Sequence, residues 1–293
     1  MTVTKSNRSA INTAEHRRKV ILRFLGQWPV IVLIILILLT MAPYFFAILI
    51  SGKSRAQFDI NPFGFTFPFY FGQTYSAAFR VIIRFIFNSV LVSSVSCLGV
   101  LALGALVAYL FARFQFPGKE FLFVMILSML MIPGILTLVP RFVVIVQLGL
   151  YQTMWSLILP YIAGGQVMAI FLLRTFFQSL PNEYFEAAKL DGADDVRCFL
   201  TLALPLSKSI LGVVAILQIL GTWNDLFWPY LVIGGNRELM TIPVGLLSFS
   251  SEYGQMIGTQ MAGYILSSLP LIILFIFASR QFVEGLTTGG LKL

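Results

Sequence analysis

The sequence predicts an all-α membrane protein of six transmembrane helices, and three observations carry that expectation. Apolar runs of about 18 residues or more, the length that crosses a hydrocarbon layer as a helix, occur six times. A composition of 58% hydrophobic against 11% charged residues, with mean hydropathy +0.89, leaves too little polar surface to clothe a soluble domain of 293 residues. The cations are also sorted by side. With the N-terminus inside, fourteen of the twenty (Lys5, Arg8, Arg17, Arg18, Lys19, Arg23, Arg113, Lys119, Arg174, Lys189, Arg197, Lys208, Arg280 and Lys292) fall in cytoplasmic segments. Lys53, Arg55, Arg80, Arg84, Arg141 and Arg237 then face outward, and an even number of spans puts both termini in the cytoplasm.

Residues 1–27 read as a basic cytoplasmic tail, and residues 28–293 as one transmembrane domain. The first span, Trp28 to Ile50, outruns the roughly 7–15 apolar residues of a signal peptide and lacks a small-residue cleavage site, so it is expected to stay attached. From Ser51 to Arg84 the chain is rich in Phe, Gly and Pro, as in Asn61-Pro62-Phe63-Gly64-Phe65-Thr66-Phe67-Pro68-Phe69. That composition stops a long helix and offers aromatic faces to the membrane interface or to a partner. The second span, Phe85 to Ala112, and the third, Phe121 to Pro140, are joined by a turn containing Pro117-Gly118. Pro133-Gly134 is expected to interrupt the third span and Pro160 the fourth, Trp155 to Leu173; such breaks suit a gate and also occur in static helices. Gly164-Gly165 reads as a place of close helix packing.

Residues 177–208 form the one long polar stretch between spans. Pro181 suits a first helical turn, where a missing N–H is harmless, and Asn182, Glu183 and Glu186 complement the positive end of the helix dipole. Ala187 and Ala188 are strong helix formers that let a partner approach the backbone, and Leu190-Asp191-Gly192 ends the helix at a residue able to turn left-handed. Asp194 and Asp195 are expected to cap a second helix, Val196 to Leu204, before Pro205 turns the chain back to the bilayer. The fifth span, Ile210 to Ile233, carries Gln218, Thr222, Asn224 and Asp225. A carboxylate at such depth needs a partner or water, so Asp225 is either a group on a translocation path or an acceptor that ties helices together. The sixth span, Met261 to Ala278, leads into a tail at 279–293.

Glu186-Ala187-Ala188, three residues, Gly192, nine residues and Leu202-Ala203-Leu204-Pro205 together resemble the EAA loop of ABC importer permeases, with Leu202 where the family usually has Ile. Other stretches are similar to the carbohydrate-uptake branch of that family, in the manner of the smaller membrane subunit of maltose-type importers. They are Ala112 to Lys119, Met131-Ile132-Pro133-Gly134, Trp223-Asn224-Asp225 with Pro229, Thr241 to Leu246, and Gly285 to Lys292, where Leu293 replaces the usual final Gly. The resemblance spans Phe85 to the C-terminus. It implies the type I importer fold and a place in the bacterial inner membrane. It also implies three partners: a second related permease, two copies of a cytoplasmic ATPase, and an extracytoplasmic solute-binding protein. Glu186, Ala187, Ala188, Leu190, Asp191, Gly192, Leu204 and Pro205 would then contact the ATPase, which carries the ATP and Mg2+, with no cofactor on this chain. The implied cargo is a carbohydrate, an acidic oligosaccharide such as alginate among them; an amino acid or a polyamine is the alternative.

Other function classes fit poorly. The single His16, two distant cysteines and the lack of clustered carboxylates supply neither a catalytic constellation nor a metal site, which argues against a membrane-bound transferase. Ser51-Gly52-Lys53-Ser54 imitates the end of a phosphate-binding loop, but Ala47 stands where the first Gly belongs. The net charge of +8 is spread as topology determinants and not as a nucleic-acid-binding face, leaving membrane lipid as the bulk partner. Cys97 and Cys198 imply no disulfide.

Overall fold

The computed structural model describes residues 28–290, with side chains for residues 28–278. The tail 1–27 with His16, and the terminal Leu291-Lys292-Leu293, lie outside the described residues. Among the described residues, four helices are long and apolar enough to cross a membrane unaided: α1 (Trp28–Ser51), α3 (Phe71–Arg113), α6 (Trp155–Ser179) and the stretch Ile257–Ala278 of α13 (Ile257–Gly290). Two bent pairs raise the number to six. Lys119–Met131, which begins as α4 (Lys119–Ser128), meets Gly134–Gln147, which ends as α5 (Leu138–Gln147), at 95°. Asp195–Leu206 meets α10 (Lys208–Asn224) at 76°.

The helix α3 is the spine. Its 43 residues extend about 65 Å at ~1.5 Å per residue, more than a bilayer requires. It begins 14 residues before the expected Phe85, because Arg80 and Arg84 depress hydropathy there while Thr74, Ala78, Ile82 and Phe85 keep a helical apolar stripe that is buried. Ala78, Ile82 and Phe85 of that stripe pack with Trp223 of α10, with Met240 just before α12 (Ile242–Tyr253), with Ile242, Val244 and Phe249 of α12, and with Ala262 of α13. Midway, Val92 joins Ile145, Leu157, Ile158 and the aromatic Trp228 of α11 (Phe227–Ile233). At the other end Val100, Ala105, Ala108 and Tyr109 pack against α6 and the polar-loop helices. Small residues permit this: a Cβ on Gly104 would stand 2.8 Å from the Ala169 Cβ.

At the Phe85 end of the bundle, Lys53 is almost wholly buried and its ammonium donates to the carbonyls of Asn61, Pro62 and Gly64 at 2.7, 3.0 and 2.5 Å. Burial lowers its pKa below the ordinary lysine value. This cage fixes the loop that follows α2 (Arg55–Ile60), leaving Phe63, Phe65 and Phe67 exposed. Nearby, Asn88 donates to the Glu238 and Met240 carbonyls, and Arg84 pairs with Glu238.

Three expectations about breaks sort themselves by backbone chemistry. The third span does break at Pro133: Ile132 before it is extended, as a residue preceding proline is biased to be, and the chain resumes as a second limb to Gln147 instead of ending at Pro140. Pro160, in contrast, sits inside an unbroken α6. A proline lacks the N–H that would bond the carbonyl four residues back. That carbonyl, on Ser156, accepts the Trp228 indole N–H at 3.0 Å, so the helix loses no partner and continues. The fifth span parts at Asp225-Leu226, where α10 ends and α11 begins, instead of running whole to Ile233.

Trp228→Phe should therefore destabilise the protein by about 1–3 kcal/mol, the usual consequence of leaving a buried carbonyl unbonded. Adding Pro160→Ala, which returns an N–H to the Ser156 carbonyl, should recover most of the lost melting temperature in detergent. No recovery in the double variant would refute this account of the helix.

Candidate functional site

Two structures stand out, one at the polar loop and one inside the bundle. In the loop, α7 (Asn182–Leu190) follows Pro181, which is the cap residue instead of a first-turn residue, and Gly192 takes φ +83°. That left-handed turn strains any residue with a Cβ by about 1–2 kcal/mol. Asp194 accepts the Arg197 N–H at 2.7 Å and caps α8 (Asp195–Cys198). Asp195 makes no cap; it pairs with Lys189 across the turn at 2.8 Å and raises the pKa of that ammonium above its ordinary value. The helical path then widens into a π-turn at Phe199–Ala203 and continues through α9 (Leu204–Leu206), so the chain bends at Ser207 and not at Pro205. The wider turn passes the Leu204 N–H back to the Phe199 carbonyl just before Pro205, whose missing N–H and ring would disturb a regular turn.

The hairpin is fastened to α3. Arg113 lies 3.9 Å above the Phe185 ring and donates to the Asn182 side chain at 2.6 Å and to the Leu180 carbonyl at 2.9 Å. Phe185 is buried beside Tyr109, Phe177 and Phe199. What remains outward is Glu186, Ala187, Asp191 and Gly192, with Leu190 at 90% exposure and Tyr184, Val196 and Leu200 also bare. Ala188 and Leu204 pack instead against the core. Cys198 is wholly buried, which removes it as a chemical probe of topology.

Inside the bundle, a cavity of about 360 Å3 lies among α3, α6 and α10, and another of about 660 Å3 lies between α6 and the bent third span. They share Arg141, Pro160 and Gly164. Gln218 and Thr222 line the smaller one; Thr222 is within 3.0 Å of Ser93 Oγ, and Gln218 donates to the Tyr161 carbonyl at 3.2 Å. Gly165 does pack closely, its missing Cβ leaving room for Val100 and Gln218, whereas Gly164 faces open space. Asn224 is exposed, bonds the Leu220 carbonyl, and lines neither cavity.

Asp225 stands behind the cavity wall. It accepts the Tyr161 hydroxyl at 3.0 Å and the Trp228 backbone N–H at 3.3 Å, so it caps α11 and ties that helix to α6. Sequence reasoning misses Tyr161, Trp228 and, above all, Arg141, which it puts in an outward segment. Arg141 lies on the second limb of the third span, with its guanidinium 3.8 Å above the Trp228 ring. A signal is there to be read: apolar Leu138-Val139 and Phe142 to Val146 flank Pro140-Arg141, so the span need not end there.

Asp225→Leu should remove the cap and the Tyr161 partner together, costing about 0.5–2 kcal/mol through the cap alone and lowering the yield of assembled protein in detergent. Asp225→Asn keeps a cap acceptor and should assemble near the wild-type level. Equal yields from both variants would show that Asp225 holds nothing together.

A family model described as the inner membrane component of binding-protein-dependent transport systems matches residues 100–287. The permease protein AraQ of an arabinooligosaccharide transport system from Halalkalibacterium halodurans is 37% identical over 205 residues, 70% of this chain and 72% of its own. The permease protein NgcG of a diacetylchitobiose uptake system from Streptomyces coelicolor is 30% identical over 266 residues, 89% and 85% of the two chains. A crystal structure of a bacterial ABC transporter involved in import of the acidic polysaccharide alginate shares the fold, with TM-score 0.77 and 20% identity over 89% of this chain and 97% of its counterpart. The bent spans, the loop hairpin and these likenesses lead to one conclusion: the chain belongs to the family of inner membrane components of binding-protein-dependent transport systems, the ABC importer permeases.

Proposed function

We propose that this permease imports an oligosaccharide into the cytoplasm. A related second permease, two cytoplasmic ATPase subunits and an extracytoplasmic binding protein complete the importer. ATP and Mg2+ bind the ATPases, and this chain holds no cofactor. The observation that carries the proposal is the α7–Gly192–α8 hairpin, which exposes Leu190, Tyr184 and Val196 while Arg113 and Phe185 clamp its other face to α3. An apolar knob of that kind suits a groove in an ATPase, and the clamp carries its displacement to α3 and α6, whose residues line the smaller cavity. The saccharide names among the relatives support a carbohydrate cargo. On this reading the hairpin end is cytoplasmic and the Lys53 loop is extracytoplasmic.

In proteoliposomes containing the full importer, Leu190→Glu and Gly192→Val should each reduce uptake at least fivefold while the ATPase subunits alone hydrolyse ATP as before. A Cβ placed on Gly192 would meet no neighbour within 4 Å, so the effect of Gly192→Val would be one of backbone strain and not of collision. Wild-type uptake by both variants would remove the hairpin from the coupling path. Orientation has its own check. In a Cys-free background expressed without the ATPase subunits, a membrane-impermeant thiol reagent applied to spheroplasts should label a cysteine at the exposed Ser251 and leave one at Leu190 unlabelled until the membrane is opened. The reverse pattern would place the hairpin outside.

A further inference from the structure

We infer that Arg141 is the cavity's anchor for a carboxylate, and hence that the oligosaccharide carried is an acidic one, built of uronic-acid units. The inference rests on the oligosaccharide reading above and adds the charge class of the cargo. Among the described residues Arg141 is the sole charged residue lining either cavity, and it lines both. Among those same residues it makes no hydrogen bond and has no carboxylate within 4.0 Å, and its Nε is buried without an acceptor. Arg113 and Arg174 also leave Nε unbonded, but they differ at their terminal nitrogens. Arg113 bonds Asn182 and Leu180, and Arg174 bonds Glu120 at 2.6 Å while lying over Phe123.

A guanidinium in an apolar surround is expensive to leave without acceptors. Asp225 makes no ion pair with it, and its two oxygens are engaged by the Tyr161 hydroxyl and the Trp228 amide. Trp228 offers only its ring face to the guanidinium. The remaining polar groups add few acceptors: the Gln218 carbonyl oxygen lies against Gly165, and the Thr222 hydroxyl bonds Ser93 or its own helix. With Tyr161, Gln218 and Thr222 donating within the protein, the unspent donors are those of the Arg141 fork, which matches a carboxylate with two parallel bonds. A neutral sugar can offer the guanidinium only single hydroxyl oxygens, which leave its charge uncompensated, whereas a uronate brings an anion with two parallel acceptors.

The test uses the complete importer with its binding protein in proteoliposomes, and measures uptake of a labelled oligouronate beside its methyl ester, which has the same skeleton without the charge. The binding protein is common to every arm, so it cancels when each variant is compared with wild type. Arg141→Met should lower the oligouronate-to-ester uptake ratio at least tenfold. Arg141→Lys, which keeps a cation over Trp228 without the fork, should assemble and fall between, mainly through a raised half-saturation concentration for the oligouronate. A structural role for Arg141 would depress both substrates equally and leave the ratio unmoved, which would overturn the inference. So would wild-type importer that carries neutral oligosaccharides and refuses the oligouronate, although carbohydrate import itself would stand. Uptake of no saccharide of either kind would instead bring down the reading on which the inference rests.

Discussion

Trp228 gives its indole N–H to the carbonyl that Pro160 leaves open, and the walls of the cavity depend on that one hydrogen bond. In a bilayer no solvent water is on hand to satisfy a released carbonyl, so a proline in a spanning helix must be answered by the protein. The answer here comes from a short helix that is itself held in place by the site. Asp225 caps α11 and takes the Tyr161 hydroxyl, while Arg141 covers a face of the Trp228 ring. Four helices, α5, α6, α10 and α11, thus meet through one fully buried aromatic ring and the carboxylate beside it. The arrangement explains why two departures from regular helix, at Asp225 and at Pro160, lie next to each other: each supplies what the other lacks.

The second constraint is distance. On the coupling proposed above, energy delivered at the polar loop would have to reach the cavity, and only stiff elements can carry it. The α6 helix runs unbroken from Trp155 to Ser179, with Pro160 and Tyr161 at the cavity and Phe177 in the cluster under the hairpin. Had Pro160 broken it, displacement of the hairpin would stop at Tyr161 and not reach Leu157 and Ile158, which pack with Ile145 and Trp228. The Trp228 bond therefore has a mechanical consequence as well as a local one. The small residues of α3 contribute in the same direction, because contact as close as that of Gly104 with Ala169 leaves the two helices little freedom to slide.

How much of this is legible in the sequence depends on how local the governing physics is. The hairpin is almost fully readable, since a left-handed turn at Gly192 and a cap at Asp194 are decided by neighbours along the chain. Its end falls a few residues beyond the expected one because the π-turn that accommodates Pro205 has no composition signature. The six-span outline is readable from hydropathy, but the extension of α3 to Phe71 is not, because a buried stripe that includes Thr74 and is flanked by Arg80 and Arg84 scores as polar. Pro133 and Pro160 show the limit most clearly. Both are prolines in apolar runs, yet one breaks the chain by 95° and the other leaves it whole, and the difference is an indole 68 positions away from Pro160 along the sequence.

Arg141 follows from the same limit. If the third span ends at Pro140, the next residue reads as an outward topology cation, and Asp225 must seek a partner elsewhere. The bend at Pro133 turns the chain so that a second limb runs on to Gln147, and this brings Arg141 to Trp228 and both cavities. Composition alone weighs the two groups separately, as one cation at a span end and one acid within a span. Folding makes them neighbours of one aromatic ring, with the acid spent on holding helices and the cation left facing open volume. That division of labour is why Asp225, the residue most conspicuous in the sequence, answers chiefly for structure, and why the residue hidden by a misplaced boundary is the one exposed to a cargo.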